Sequence, residues 1–243
     1  MLEDGNTRAG HECLAVKPGK EQEAAFLESR RYAAMKGATT EFRKMEGITY
    51  DPDLNKVYIA ISQIAKGMED NKKYGKDNDK YDKGGHNDIR LSYNKCGAVY
   101  AFDLEKSAIS DYTPKNMHAL IAGKPKKYDA NSPYANNSCD INSIASPDNI
   151  TYLTGKHILL IGEDTSYHQN DYIWEFNTKT GKLQDRLATT PYGSETTSAY
   201  WEPNIGGFNY INFVTQHPYG ETDEDKKRGP DDVQSYVGYI QVK

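Results

Sequence analysis

The sequence predicts an all-β fold: a partial β-propeller of about three to four blades, preceded by one N-terminal helix. Short runs rich in Tyr, Ile, Val and Thr alternate with clusters of Asn, Asp, Gly and Pro, a pattern typical of many short strands. The runs recur in three similar repeats, each opened by an acidic residue. Repeats of about 40–50 residues with several strands each are typical of propeller blades.

An N-terminal segment, residues 1–40, precedes the repeats and contains the predicted helix at about residues 20–36. This stretch is rich in Ala, Leu and Met, and Gly37 follows it as a natural stop. The first residues lack a basic stretch followed by an apolar one, so no signal peptide is predicted. No run of about 18 apolar residues occurs, which argues against a transmembrane helix.

The three repeats span about residues 45–112, 147–190 and 195–243. A closed propeller needs about four to eight blades, so three repeats predict only part of a ring. The motif NTKTGK at 177–182 predicts a hairpin turn and a fourth strand after it. The second strands of the repeats are predicted at 56–62, 157–164 and 210–216, and the third strands at 98–103, 172–177 and 236–241.

Three polar stretches are predicted as loops, at about residues 66–87, 124–140 and 220–232. The first is highly charged, but its acids at 77, 79 and 82 do not fit the spacing of an EF-hand. The chain carries a net charge of −5 and no basic domain, which argues against nucleic-acid binding. Its aromatic content of 11% argues against wholesale disorder.

The three cysteines, Cys13, Cys96 and Cys139, contain no CxxC pair, so zinc-ribbon and thioredoxin-type sites are excluded. The count is odd, which argues against a complete disulfide framework. Two interpretations stay open from the sequence: three structural thiols, or one disulfide with one free thiol.

The acids that open the repeats are the first candidates for chemistry. Glu46, Asp148 and Glu195 each stand before or near the first strand of a repeat. The innermost strands of propeller blades line one channel, so equivalent positions converge on its axis. Converging carboxylates repel one another unless a cation compensates them, and hard cations prefer oxygen ligands. The register therefore predicts a metal site.

Further ligand types occur where the second strands end. Glu163 and Asp164 close the second strand of the middle repeat, and His217 closes the equivalent strand of the last repeat. Loops at strand ends are where such folds place functional residues. Asn94, shortly before the strand at 98, is a weaker candidate of the same kind.

Taken in order, these motifs resemble the PhoX-type alkaline phosphatases, which are exported bacterial phosphomonoesterases. The resemblance runs from about Glu12 to Glu221. The stretches that carry it are FRKMEGITYDPDLNKVYIAIS, NDIRLSYNKCGAVYAFD, ASPDNITY, LLIGEDTSYHQNDYIWEF, YGSETTSAYW and FVTQHPYGE.

The resemblance implies a six-bladed propeller with calcium and iron ions (Ca2+, Fe3+) at the channel mouth, and a small phosphate-ester substrate. It implies a periplasmic or secreted location. Lys44 stands at the position of the family's phosphate-facing Arg, and Arg90 lies in the stretch that resembles a second family motif. The metal ligands that the resemblance or the strand-end pattern suggests are Glu46, Asn94, Asp148, Glu163, Asp164, Glu195 and His217.

One departure concerns the iron ions. The family's N-terminal half carries a Cys-Glu-Glu motif that supplies iron ligands, and no segment of this sequence matches it. The chain therefore resembles the C-terminal part of the family domain, and the resemblance implies a missing N-terminal half of the same propeller as its partner.

Two other functions remain open from the sequence. A calcium-dependent propeller lactonase also begins a blade with Glu-Gly, as at Glu46-Gly47, and would hold one ion instead of several. A non-catalytic calcium-binding propeller module would use the same acids for folding, through the linkage of metal binding to stability.

Overall fold

The fold is mostly β, as the sequence predicts, in a computed structural model that describes residues 2–3, 11–12, 15–81, 87–222 and 224–242. Cys13 and the acid at position 82 lie outside the described residues. The elements are β1 (Leu2–Glu3), β2 (His11–Glu12), α1 (Glu21–Leu27), α2 (Ser29–Met35), β3 (Met45–Asp51), β4 (Lys56–Ile61), β5 (Lys72–Lys73), β6 (Lys76–Asp77), β7 (Ala98–Glu105), β8 (Thr113–Ala122), β9 (Pro147–Leu153), β10 (Ile158–Glu163), β11 (Asn170–Asn177), β12 (Lys182–Tyr192), β13 (Glu195–Ile205), β14 (Phe208–Gln216) and β15 (Tyr236–Val242).

The chain divides into two compact units. The first unit comprises residues 1–43 and 64–93, and the second comprises residues 44–63 and 94–243. The segment 64–93 lies between β4 and β7 in sequence but belongs to the first unit, although the sequence analysis placed it inside the first repeat. No helix of the described residues is long and apolar enough to cross a membrane.

In the first unit, the prediction of a single helix at about 20–36 is wrong, because the structure has two short helices, α1 and α2. Glu28 joins them with φ −126° and ψ 40°, outside the helical region. The Ser29 hydroxyl donates a hydrogen bond to the Ala25 carbonyl at 2.6 Å. A serine that bonds back to the preceding turn in this way competes with helical backbone bonding and bends helices.

The charged stretch at 66–87, predicted as a loop, contains a 3-10 turn (Lys66–Met68) and the β5–β6 hairpin. A buried carboxylate holds this part of the first unit together. Glu69 is 1% exposed and accepts hydrogen bonds from the backbone N–H groups of Lys66, Tyr74 and Gly75 at 2.7–2.8 Å. The stretch is therefore organised around one acid that the sequence analysis did not single out.

The second unit contains three antiparallel sheets, and the strands predicted in all three repeats are present. The first sheet has the order β3-β4-β7-β8, the middle sheet β12-β11-β10-β9, and the third sheet β13-β14-β15. The fourth strand predicted after Gly181 is β12. Strand β8 lies beyond residue 112, where the first predicted repeat ended. Its side chains are mostly exposed, so it lacks the apolar alternation that marks the other strands.

The middle sheet is buried on both faces. One face packs against the first sheet through Leu159, Ile161 and Trp174, which meet Tyr58 and Val99 in one apolar cluster. The other face packs against the third sheet through a second cluster, formed by Leu153, Leu160, Ile173, Ala199, Trp201 and Ile211. The three sheets therefore form a face-to-face stack.

Both outer faces of this stack carry exposed apolar side chains. On the first sheet, Ile48 is 65% exposed and Tyr50 is 42% exposed, and they line an open apolar groove with Phe102 and Leu104. On the third sheet, Val237 and Tyr239 are exposed by 82% and 66%. Contiguous exposed apolar faces of this kind usually mark an interaction surface.

The strands that come first in sequence in each of the three sheets, β3, β9 and β13, lie side by side, with β9 between the other two. Gly47 in β3 lies so close to β9 that a Cβ atom there would stand 2.4 Å from the Asp148 carbonyl oxygen. Between β9 and β3, the backbone N–H of Tyr152 donates to the Thr49 hydroxyl at 3.2 Å. Between β9 and β13, the Thr151 hydroxyl donates to the Ala199 carbonyl.

We expect Gly47→Ala to destabilise the protein, because the clash is with backbone atoms that cannot rotate away. The expected loss in free energy of unfolding is about 2 kcal/mol or more. The measurement is chemical denaturation. Gly238→Ala is the matched control, since Gly238 lies in β15 with nothing within 4 Å of a built Cβ. Equal stability of the two variants would contradict the close packing of β3 on β9.

Candidate metal centre

The three acids that open the predicted repeats occupy the same place in the three sheets. Glu46 is the second residue of β3, Asp148 is the second residue of β9, and Glu195 is the first residue of β13. Two positions before each acid, the backbone has a positive φ, which non-glycine residues rarely adopt. These residues are Lys44 (52°), Ser146 (40°) and Gly193 (62°).

The residues that follow β4 and β10 make equivalent backbone hydrogen bonds. The Ser62 N–H donates to the Lys44 carbonyl at 3.0 Å, and the Asp164 N–H donates to the Ser146 carbonyl at 3.2 Å. Each bond joins the residue after a second strand to the positive-φ residue two positions before an acid. The first two repeats are therefore similar in backbone geometry as well as in sequence. In the middle repeat, this bond brings the end of β10 next to the start of β9.

Three carboxylates meet at this point. Ligand atoms of Asp148, Asp164 and Glu195 all lie within 4.8 Å of one another, and all three side chains are half-buried. Asp148 lies in β9 of the middle sheet, Asp164 directly follows β10 of the same sheet, and Glu195 lies in β13 of the third sheet. Glu46 is outside this group of three, although it is close enough for its charge to act on Asp148. We refer to Asp148, Asp164 and Glu195 as the carboxylate cluster.

The electrostatics of the cluster favour a proton or a cation. Burial, and after it the charges of Asp164, Glu46 and Glu195, together raise the pKa of Asp148 to about 7, against the charge of Lys44, which lowers it. Burial and the charge of Asp164 also raise the pKa of Glu195, against a hydrogen bond from His217 that lowers it. Asp148 and Glu195 therefore keep their protons to higher pH than ordinary carboxyl groups, because like charges are held together out of water.

His217 contacts the cluster through Glu195 and does not stand among its three members. Its Nε2 lies 3.0 Å from Glu195 Oε2 and 3.9 Å from Glu221 Oε1. Glu221 also raises the pKa of Glu195 by its charge. Glu221 was not selected from the sequence, although it ends the stretch FVTQHPYGE, because no equivalent acid stands out in the other repeats.

The two cations predicted to face phosphate fall in different units. Lys44 belongs to the second unit, directly before β3, and its charge lowers the pKa of Asp148. Arg90 belongs to the first unit, where its charge helps to lower the pKa of Asp70 after the larger effect of the Asn87 amide. Of these two cations, Lys44 therefore acts on the cluster within the second unit.

Glu163, predicted as a ligand, is fully buried and its carboxylate is already engaged. Oε1 accepts hydrogen bonds from the Ala145 N–H at 2.8 Å and the Trp174 indole at 2.7 Å. Oε2 lies 2.9 Å from His168 Nδ1 and accepts from the Tyr172 N–H at 3.1 Å. Adjacent residues of a strand face opposite ways, so Glu163 points into the protein while Asp164 joins the cluster.

Asn94 is likewise engaged within the backbone. Its side-chain amide donates to the Gly123 carbonyl at 2.9 Å, and its Oδ1 accepts from the Cys96 N–H at 2.9 Å. These bonds shape the turn before β7. Asn94 therefore lies outside the carboxylate cluster, and its structural partners account for its position.

Cys96 and Cys139 form a disulfide bond across 43 residues. Of the two interpretations left open by the sequence, the structure supports the disulfide and not three free thiols. The Cys96 carbonyl accepts from the Ser146 N–H at 2.9 Å, two residues before Asp148. Within the described residues, the donor set near the cluster therefore consists of carboxylate oxygens and one imidazole, which suits a hard cation.

We expect Asp148→Asn to stabilise the metal-free protein at high pH. Because the pKa of Asp148 is raised to about 7, the folded chain binds more protons than the unfolded chain between about pH 4 and pH 7. Its stability therefore falls as pH rises through that window. The variant removes this loss, so its melting temperature should exceed that of the wild type at pH 8, by about 2–4 °C per kcal/mol recovered.

The measurement is calorimetry in chelator at pH 8 and pH 5, where the expected gain is much smaller. Asp129→Asn serves as the control, because Asp129 is an exposed acid whose turn bond to the Asn131 N–H an Asn can also accept. A gain of equal size at both pH values would show that repulsion at Asp148 is not its cause.

The comparisons with known proteins give one match. The family model described as Alkaline phosphatase PhoX matches residues 8–218, which include all three members of the carboxylate cluster. No curated protein and no solved structure matches the chain significantly. Since the matched range covers most of the chain and the resemblance of its motifs is thereby confirmed, the chain belongs to the PhoX alkaline phosphatase family.

Proposed function

We propose that the protein is a metal-dependent phosphomonoesterase whose metal centre is the carboxylate cluster. The observation that carries this proposal is the meeting of Asp148, Asp164 and Glu195 within 4.8 Å. Family membership supports a phosphatase-type function. Calcium is the cation that an oxygen-rich set suits best, and iron is the second ion that the family resemblance implies.

The residues present fit such a cation. The raised pKa values of Asp148 and Glu195 record a local excess of negative charge that a divalent ion would balance. Asp148, Asp164 and Glu195 would hold it, with Glu46 close by. When bound, it would polarise the phosphate ester and lower the pKa of a water molecule.

The chain's own side chains have separate parts in this proposal. Lys44 would neutralise part of the phosphate charge as a point charge, without the bidentate geometry of an arginine. His217 would orient Glu195 through the contact at 3.0 Å. A group that donates its ring N–H to a ligating carboxylate fixes the orientation of that ligand.

We further propose that the three sheets are consecutive blades of a propeller, with β3, β9 and β13 as inner strands. Support comes from the face-to-face stack and from the equal placement of the three acids. The exposed apolar outer faces would then be covered by further blades, in a missing N-terminal half of the same propeller. The disulfide supports a periplasmic or secreted location, since disulfides persist in oxidising compartments.

A calcium-binding module without catalysis is the second candidate. The observation that favours it is that the charge of Arg90, the other predicted phosphate-binding cation, acts on Asp70. This candidate predicts calcium-dependent stability without turnover. A propeller lactonase has no comparable observation in its favour.

The proposed function is tested by Asp164→Asn. We expect the purified wild-type chain to retain metal and to hydrolyse p-nitrophenyl phosphate in a chelator-sensitive manner. The variant should lose about 100-fold or more in kcat/KM, because even changes beyond the ligands of a metal site cost about 10- to 100-fold. Elemental analysis and the assay are made on the same samples, with Asp129→Asn as control.

Bound calcium without hydrolysis would favour the non-catalytic module. Hydrolysis that survives both chelation and Asp164→Asn would contradict the proposal, since it would place the activity elsewhere.

Lys44→Gln tests the phosphate contact. We expect KM for p-nitrophenyl phosphate to rise several-fold with a smaller change in kcat, because Lys44 attracts the substrate's charge before reaction as well as during it. Lys115→Gln is the control, since Lys115 is an exposed cation on the first sheet that pairs with Glu105. An unchanged KM would remove Lys44 from the substrate site.

A further inference from the structure

We propose that Glu163 is the positioning residue of the carboxylate cluster: one buried carboxylate that fixes the three chain segments carrying Asp148, Asp164 and Glu195. The inference rests on the proposed metal centre and goes beyond it, because it assigns Glu163 a role in setting the geometry of ligands that it does not join.

The first segment is the approach to β9. Glu163 Oε1 accepts the Ala145 N–H at 2.8 Å, and Ala145 lies three residues before Asp148. Between them, Ser146 adopts a positive φ and accepts the Asp164 N–H through its carbonyl. The contact at Ala145 therefore holds one end of the short strained turn from which Asp148 projects.

The second and third segments are fixed by the side chain and backbone of Glu163 together. Asp164 follows Glu163 directly, so immobilising one side chain restricts the backbone of the other. The Glu163 N–H donates to the Thr196 hydroxyl at 2.7 Å, and that hydroxyl donates back to the Glu163 carbonyl at 3.0 Å. Thr196 is adjacent to Glu195, so this reciprocal pair joins the end of β10 to the start of β13.

The remaining contacts make Glu163 rigid. Its side chain is fully buried and takes two partners on each carboxylate oxygen, including His168 and the Trp174 indole. Trp174 is itself packed in the cluster between the first and middle sheets. A buried carboxylate that accepts from four donors is held in one orientation. Short stretches of backbone join Glu163 to the acids of the carboxylate cluster, so fixing Glu163 also restricts where those acids lie.

The test is calcium titration by calorimetry on the full chain, with thermal melting of the same samples. Glu163→Gln keeps the size of the side chain but replaces one acceptor oxygen by an NH2 group, which faces two donors. We expect calcium binding to weaken about 10- to 100-fold. Asp51→Asn is the matched control. Asp51 is equally buried, and its carboxylate accepts the Asp53 and Leu54 N–H groups and the Tyr58 hydroxyl, on the first sheet.

Asp51→Asn should lower the melting temperature and leave calcium affinity within about twofold of the wild type. If Glu163→Gln does not fold, Trp174→Phe removes the indole donor together with part of the buried ring, and leaves the other three donors of Glu163 in place. It should weaken calcium binding to a smaller extent, still beyond the control.

Wild-type affinity in a folded Glu163→Gln or Trp174→Phe chain would overturn the inference, and so would equal weakening by Asp51→Asn. A wild-type chain that binds no calcium would instead overturn the metal centre itself, and the positioning role with it. The two failures are thus distinguished by the wild-type titration alone.

Discussion

Repulsion among the carboxylates of Asp148, Asp164 and Glu195 is the constraint on which the second unit depends. Folding brings these groups within 4.8 Å, and burial together with the neighbouring carboxylates raises the pKa of Asp148 to about 7. The surrounding structure must hold the acids together against their repulsion. It does so with backbone bonds at positive-φ residues and with the contacts of Glu163. Strain and like charge concentrated at one place are typical of a functional site.

The sheet stack explains why the acids converge. The middle sheet is covered on both faces, so β9 is fixed between β3 and β13, and the close approach at Gly47 leaves no room for a side chain. An acid at the start of each first strand then lies near its equivalents in the neighbouring sheets. The same stacking leaves apolar outer faces, which are the physical basis for proposing further blades.

Most strands and the register of the acids were predictable from the sequence, because half-buried strands and turn residues leave a local pattern. The break at Glu28 was not, since it depends on how Ser29 bonds to the preceding turn. Strand β8 has mostly exposed side chains and therefore little alternation. Its edge position is a property of the sheet and is not encoded in a local pattern.

Within the site, the sequence predicted that Glu46, Asp148 and Glu195 converge. It offered Asp164 only as a strand-end candidate and could not separate it from Glu163. Two adjacent acids at a strand end look alike in sequence, and only tertiary packing shows which one faces Trp174 and His168. Asn94 was selected as a ligand-type residue shortly before a strand, but its side chain makes hydrogen bonds with backbone groups instead. Residue type predicts ligand chemistry, whereas the direction of a side chain depends on its neighbours.

The most direct test of the metal centre is a crystal structure of the chain soaked with a lanthanide ion in place of calcium. We expect an anomalous peak bounded by carboxylate oxygens of Asp148, Asp164 and Glu195, at the roughly 2.3–2.6 Å distances of calcium-type coordination. A well-ordered cluster without a peak, beside an ion bound elsewhere in the second unit, would contradict it.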